Sequence, residues 1–219
     1  TLTGENGRAS GSPRLRRGRS STPQALRRPN SCKIMDDPNQ KKSLLIGIDP
    51  DTEASGWAVV NLNDRTIHLE TISFLRVLDQ LNFFEALCRL HELRGEKECA
   101  YRFVLEDIWS TAHNWHASPR DNHRVVAKKG YHLGRCAMVG ELLRDAIQAK
   151  EFPIICQKPL LKHWRGPDGK ITHSEILEVC RYHNLTLPKS KQARTNQEER
   201  DALLLAIHHI ATPTKLFDK

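Results

Sequence analysis

Apolar positions along the chain follow two periods, and where the period changes the elements change. Leu44-Leu45-Ile46-Gly47-Ile48 is a short apolar run broken only by glycine, which suits a strand covered on both faces. Asp49 ends the run, and Pro50, Asp51 and Gly56 turn the chain back. Residues 56–62 predict a second strand, Asn63-Asp64 a turn, and residues 66–74 alternate as a third strand. The simplest assembly of these three is antiparallel. Helical spacing of Leu78, Leu81, Phe84, Leu87, Cys88 and Leu90 predicts a helix over 77–93. Residues 102–108 form a fourth apolar strand, 110–129 a polar loop, and 131–150 a helix with Leu133, Cys136, Ala137, Val139, Gly140, Leu143 and Ile147 inward. Residues 153–156 give strand five, 158–170 a basic loop with a Gly166-Pro167-Asp168-Gly169 turn, and 172–183 a helix. A polar basic linker over 185–196 leads into a last helix, 197–211. Three strands followed by alternating helices and strands describe an α/β domain with a mixed sheet.

Three of the apolar frames carry acids. Asp49 ends strand one, Glu106 lies near the end of strand four, and Glu198 and Asp201 open the last helix just before an apolar run. Residues three apart on a helix share a face, so Glu198 and Asp201 can reach one ion. Acids framed by core residues are costly unless paired or bound to a cation, and several together repel unless a divalent metal neutralises them. All-oxygen ligands suit Mg²⁺ or Mn²⁺ and not zinc. Asp107 points to the opposite face by strand alternation. Glu199 reads as a first-turn acid that complements the helix dipole, and the same reading stands open for Glu198. Cys180-x-x-His183 and His113-x-x-His116 have zinc-like spacing, but neither has a second pair at suitable distance.

Charge narrows the partner. The 219 residues carry a formal charge of +8 with a pI near 9.3, which favours a polyanion, most simply nucleic acid. Lys158, Lys162, Arg165 and Lys170 concentrate this charge in one loop beside the acids and would hold phosphates. Trp109, just after the second acid, would stack on an unpaired base or else pack in the core. The six cysteines lack CxxC pairs and sit mostly in apolar segments, so they read as reduced core thiols rather than a secreted framework. No run approaches the roughly 18 apolar residues of a membrane span.

Residues 1–42 are rich in Ser, Arg, Gly and Pro and cannot bury enough surface to fold alone. Three readings compete for this segment: a basic nucleic-acid arm, an organellar transit peptide over residues 1–34, or non-native sequence upstream of a start at Met35. The opening Thr1 favours the last. A globular domain is expected over 43–212, with a short tail over 213–219. The expected compartment is the cytoplasm, at the nucleoid, or an organelle if residues 1–34 are a transit peptide.

Ile46-Gly47-Ile48-Asp49-Pro50, Leu105-Glu106-Asp107-Ile108-Trp109 and Asp201-Ala202-Leu203-Leu204-Leu205-Ala206-Ile207 resemble, in order, the acidic motifs of RuvC-type Holliday-junction resolvases of the ribonuclease H-like superfamily. The resemblance covers about residues 44–210. It implies a ribonuclease H-like mixed five-stranded sheet flanked by helices, with two Mg²⁺ or Mn²⁺ ions held by Asp49, Glu106, Glu198 and Asp201. It places Trp109 near a junction centre and Lys158 and Lys170 on DNA. The family more often has Asp or His where this chain has Glu198, and the segments 110–129 and 185–196 look longer than usual. The function implied is paired symmetric nicking of four-way junctions during recombination and repair. Two symmetric cuts call for a homodimer, formed by resemblance through the helix around Leu133 to Ile147. The rivals are another ribonuclease H-like nuclease, acting on other branched or flapped DNA, and a nucleic-acid-binding module without catalysis.

Overall fold

The first apolar run lies at the centre of a mixed five-stranded sheet. β1 (Ser43–Asp49) pairs antiparallel with β2 (Ser55–Asn61) and parallel with β4 (Ala100–Glu106). With β3 (Thr66–Ile72) and β5 (Ile154–Gln157) at the edges, the strand order is β3-β2-β1-β4-β5. The computed structural model describes residues 43–93, 100–110 and 118–210, all within the unit Asn39–Lys219. The N-terminal segment, the His113–His116 pair and the tail after 212 lie outside the described residues.

Alternation along β1 divides the core. Ile46 and Ile48 face α1 (Phe74–Leu93) and α2 (His123–Ala149), in a cluster with Trp57, Leu81, Phe84, Phe103, Leu143 and Ile147. Aromatic rings interlock there, with Phe84 4.8 Å from Tyr101 and Phe103 5.2 Å from Phe152 between centroids. Leu45 faces the other side, where α3 (His173–Tyr182) and α5 (Gln197–His208) cover the sheet through Ile176, Leu203 and Ile207. Among the described residues, no helix is long and apolar enough to cross a membrane.

The α5 side is unusually close. A Cβ at Gly47 would lie 2.0 Å from the Ala202 carbonyl oxygen, and one at Gly56 would lie 2.1 Å from that of Glu198. Glycine is needed at both positions because backbone meets backbone. Small residues answer from the helix, where Ala202 and Ala206 are fully buried.

Several boundaries differ from the sequence reading. α2 begins at His123, two turns before the predicted start, because Asn122 caps it by accepting the Val125 N–H at 3.0 Å. Those two turns face outward and carry no apolar stripe, so periodicity could not reveal them. Of the α2 core positions expected, only Gly140, Leu143 and Ile147 are buried. In α1, Leu90 is exposed and Val77 is buried instead. The linker after residue 185 holds a short helix, α4 (Lys189–Gln192), and Thr186 forms a parallel bridge to Thr66.

Gly47→Ala should lower stability by about 3 kcal/mol, because the helix must move away from the sheet. Gly134→Ala, where nothing lies within 4 Å of the added methyl, should instead add about 0.5–1 kcal/mol. Urea unfolding of the two variants checks the contrast, and a Gly47→Ala protein as stable as the parent would contradict the close packing.

Candidate functional site

Register places the first two acids side by side. β1 and β4 run parallel with Ile48 opposite Leu105, so Asp49 and Glu106 leave the sheet next to each other at one edge. Asp49 also pairs with Gly56, and the Glu198 backbone rests on Gly56. The close packing of α5 therefore delivers Glu198 to Asp49, and Asp201 follows on the same helix face.

The start of α5 is fixed by a capping box. Asn196 accepts the Glu199 N–H at 2.8 Å, the Glu199 carboxylate accepts the Asn196 N–H at 3.1 Å, and Asn196 Nδ2 donates to Thr71 Oγ1 at 2.6 Å. Glu199 is 2% exposed and ion-paired with Lys191, so it is a structural acid, as its place in the first turn suggests. Gln197 Nε2 donates to Asp201 Oδ1 at 2.7 Å, and its own Oε1 accepts from Arg200 at 2.7 Å. Arg200 is tied in turn to the Ile171 and Thr195 carbonyls. This chain of contacts orients Asp201.

All four carboxyls titrate above their ordinary range, and burial is the largest cause in each. Asp49 is raised well above it by burial, then by Glu106, Asp201 and Glu198 around it. Burial and Asp201 push Glu106 up to about 7, against the lowering influence of an Asp49 hydrogen bond and of Lys162. Glu198 is raised by burial, opposed by hydrogen bonding to Asp49 and by Lys170. Asp201 is raised by burial and opposed by Gln197, Lys170 and Lys162. Each acid keeps some accessible surface, which faces a cleft.

The cleft has a volume of about 710 Å³ and contains all four acids. Of the four predicted phosphate-binding residues, Lys162 and Lys170 line it. Lys158 and Arg165 are not among the lining residues; both are exposed, and Arg165 lies 3.8 Å from Glu175. Trp109 packs where its neighbours hold it: a Cβ at Gly140 would lie 2.7 Å from its ring, and the Arg144 guanidinium sits 5.4 Å from the ring centroid. Asp51, Lys128, Lys129 and His132 also line the cleft and were not singled out from the sequence. The Asp-Pro-Asp spacing signalled Asp51; Lys128 and Lys129 were hidden in a stretch read as loop, and His132 lay unremarked in the predicted helix.

Among the described residues, no three or more His, Cys, Asp or Glu side chains form a preformed metal cage. The acids are instead grouped around Asp49, with Glu106, Glu198 and Asp201 all acting on it. The donor set still fits a hard divalent cation. It is all oxygen, clustered and desolvated, and a bound cation would offset the burial and the repulsion that raise these groups. Cys180, by contrast, is a core thiol pushed up to about 11 by burial.

The raised acids make stability depend on pH. Between 4.5 and about 7 the folded Glu106 holds a proton that the unfolded chain releases, so stability falls as pH rises through that window. In EDTA, Glu106→Gln should unfold at higher urea than the parent at pH 8, by of order 2 kcal/mol, and lose this advantage by about pH 5. A pH-independent difference would contradict the clustered-acid electrostatics.

No protein-family model matches the sequence, and no curated protein matches it. In structure the chain is similar to RuvC-type Holliday junction resolvases. Thermus thermophilus RuvC in complex with a Holliday junction substrate has 20% sequence identity, covers 76% of this chain and 92% of its own, and gives a TM-score of 0.38. A second Thermus thermophilus RuvC structure has 16% identity with the same coverage and a TM-score of 0.34. The yeast mitochondrial Holliday junction resolvase has 13% identity over 78% of this chain and 79% of its own, with a TM-score of 0.40. At these TM-scores the three are likenesses only.

Proposed function

We propose that this protein is a metal-dependent, structure-selective DNA endonuclease that resolves four-way junctions by paired symmetric nicks, working as a two-fold dimer. The observation that carries the reading is the convergence of Asp49, Glu106, Glu198 and Asp201 from three distant segments into one cleft, with Lys162 and Lys170 on its wall. Perturbed acids gathered in a cleft mark a site of chemistry more often than a structural cluster.

Each residue has a part in this reading. Asp49, Glu106, Glu198 and Asp201 would hold two Mg²⁺ or Mn²⁺ ions, which when bound supply Lewis acidity to the phosphodiester, its attacking water and its leaving 3′ oxygen. Lys162 and Lys170 already lie near enough to bias the acids electrostatically, so they can hold a phosphate directly over them. Gln197, anchored by Arg200, keeps Asp201 turned into the cleft. Asp107 stays out of the site, accepting the Ser110 N–H at 2.9 Å. A basic chain with a pI near 9.3 suits the polyanionic substrate. Tyr131, Met138 and Leu142 remain exposed on α2 at helical spacing, which supports this helix as the face shared by two copies.

Cleavage of a synthetic four-way junction, beside duplex and flap controls and with Mg²⁺, Mn²⁺ or EDTA, tests the proposal. Symmetric nicks confined to the junction and lost in EDTA are expected. Cutting of flaps or plain duplex would discard the junction assignment, and binding without cutting would point to a non-catalytic module. Asp49→Asn should abolish cleavage and leave junction binding within about threefold, since it removes a ligand and no phosphate-binding cation. Lys170→Ala should weaken binding and reduce the slope of log K against log salt by about 1. An unchanged slope would take Lys170 out of the interface.

A further inference from the structure

We propose that Leu161, in the loop between β5 and α3, contacts substrate by entering the base stack beside the phosphodiester to be cut. The inference rests on the nuclease reading and deepens it, because it assigns the step by which the site tells distorted DNA from regular duplex.

Single exposed leucines are ordinary on protein surfaces. Three observations separate this one from that background. First, Leu161 is 86% exposed, yet it lines the cleft that holds the four acids. It shares that wall with Pro159 and Leu160, and Val125 and Leu133 of α2 line the same cleft. Second, the next residue, Lys162, lines the same cleft as Glu106 and Asp201. A phosphate held by Lys162 over the acids would bring its own nucleotide against Leu161.

Third, the loop holds Leu161 out by built contacts. The His163 ring nitrogen Nδ1 lies 2.9 Å from the Leu161 carbonyl oxygen, and the ring stacks on Trp164 with centroids 4.7 Å apart. Trp164 packs against the α3–α5 core. Beneath it the backbone closes on itself, with the Trp164 N–H donating to Gly169 O and the Gly166 N–H to Lys170 O, both at 3.0 Å. The turn uses left-handed backbone at Asp168 (φ 54°) and Gly169 (φ 70°). A large apolar side chain kept in water on a stapled loop is prepared for an apolar surface. In DNA that surface is the face of a base, reached by partial unstacking. Leucine has no hydrogen-bonding group, so it reads whether bases separate and not which bases they are. Branch points, where stacking is already interrupted, are the sites it would favour.

The test uses the full chain with four-way junctions carrying 2-aminopurine at the branch, bound in EDTA, and then cleavage of the same junctions with Mg²⁺. The parent protein and Leu161→Met should raise 2-aminopurine fluorescence on binding, and Leu161→Ala should bind without the rise. Leu161→Ala should cut the fully paired junction about tenfold more slowly, yet cut a junction with mismatched bases at the branch at the parental rate. Equal loss on both junctions would mean a merely structural role and overturn the inference. So would an unchanged fluorescence rise in Leu161→Ala, or a parent protein that cuts junctions with no rise, and both results would leave the nuclease reading standing. A parent protein that neither binds nor cuts any DNA would overturn the nuclease reading and this inference with it.

Discussion

Everything at this site depends on a contact between two backbones. α5 lies so close to β1 and β2 that the carbonyls of Ala202 and Glu198 occupy the space where side chains of residues 47 and 56 would stand. A helix resting on ordinary side chains would hold Glu198 a full layer away from Asp49. Two glycines on the sheet and two alanines on the helix remove that layer, and the acids of three remote segments then share one cleft. Gly56 has a double role, because it pairs with Asp49 across the β1–β2 ladder and supports Glu198 from below. The geometry of the acids is thus a consequence of packing among apolar and small residues, before any electrostatic term is considered.

Electrostatics work against that arrangement, and the contrast with the protein's other covered acids shows how. Glu175 and Glu199 are buried too, but each sits in a capping box and accepts backbone N–H groups, and the Glu175 carboxyl is held below its usual range mainly by Thr172. The four cleft acids rise, with burial the largest cause in each and neighbouring acids adding to the rise of Asp49, Glu106 and Glu198. Glu106 and Glu175 are the same residue type and shift in opposite directions, because Glu175 has donors at its carboxyl where Glu106 has burial and Asp201. Two packed clusters on either side of the sheet carry this cost. Local frustration of this kind persists only where the surrounding structure over-determines it.

What the sequence disclosed follows the same logic. Asp49, Glu106 and Asp201 were legible because an acid beside an apolar run violates binary patterning, and a violation can be read without coordinates. Glu198 became legible through its helical spacing to Asp201, with Glu199 correctly separated from it as a first-turn acid. The sheet's three opening strands and its parallel additions followed from period and turn residues. Features set by contact alone stayed hidden. The outward turns at the start of α2 have no stripe to betray them, so Lys128 and Lys129 fell inside a stretch read as loop. Trp109 stood open between stacking and packing, because nothing in its neighbourhood announces that Gly140, thirty-one positions on, makes room for its ring. Lys158 and Lys162 look alike in sequence, and only the path of the loop puts one on the cleft and not the other.

That path also divides the work of recognition on the nuclease reading. Cations line the cleft from two elements, Lys162 and Lys170 from the loop and Lys128 and Lys129 from α2, the last of these also paired to Asp121 at 2.7 Å. Such charges attract any phosphate backbone and cannot by themselves distinguish a branch from a duplex. Discrimination has to come from shape and from the energy of deforming the substrate. The same two elements also supply apolar side chains to the cleft, with Val125 and Leu133 on α2 and Leu160 and Leu161 on the loop. A strand held over the acids on this reading would meet those apolar side chains in the same cleft. DNA whose bases separate readily loses little on meeting them, whereas intact duplex must give up stacking. On the nuclease reading, affinity and selectivity would thus be carried by different side chains of the same two elements.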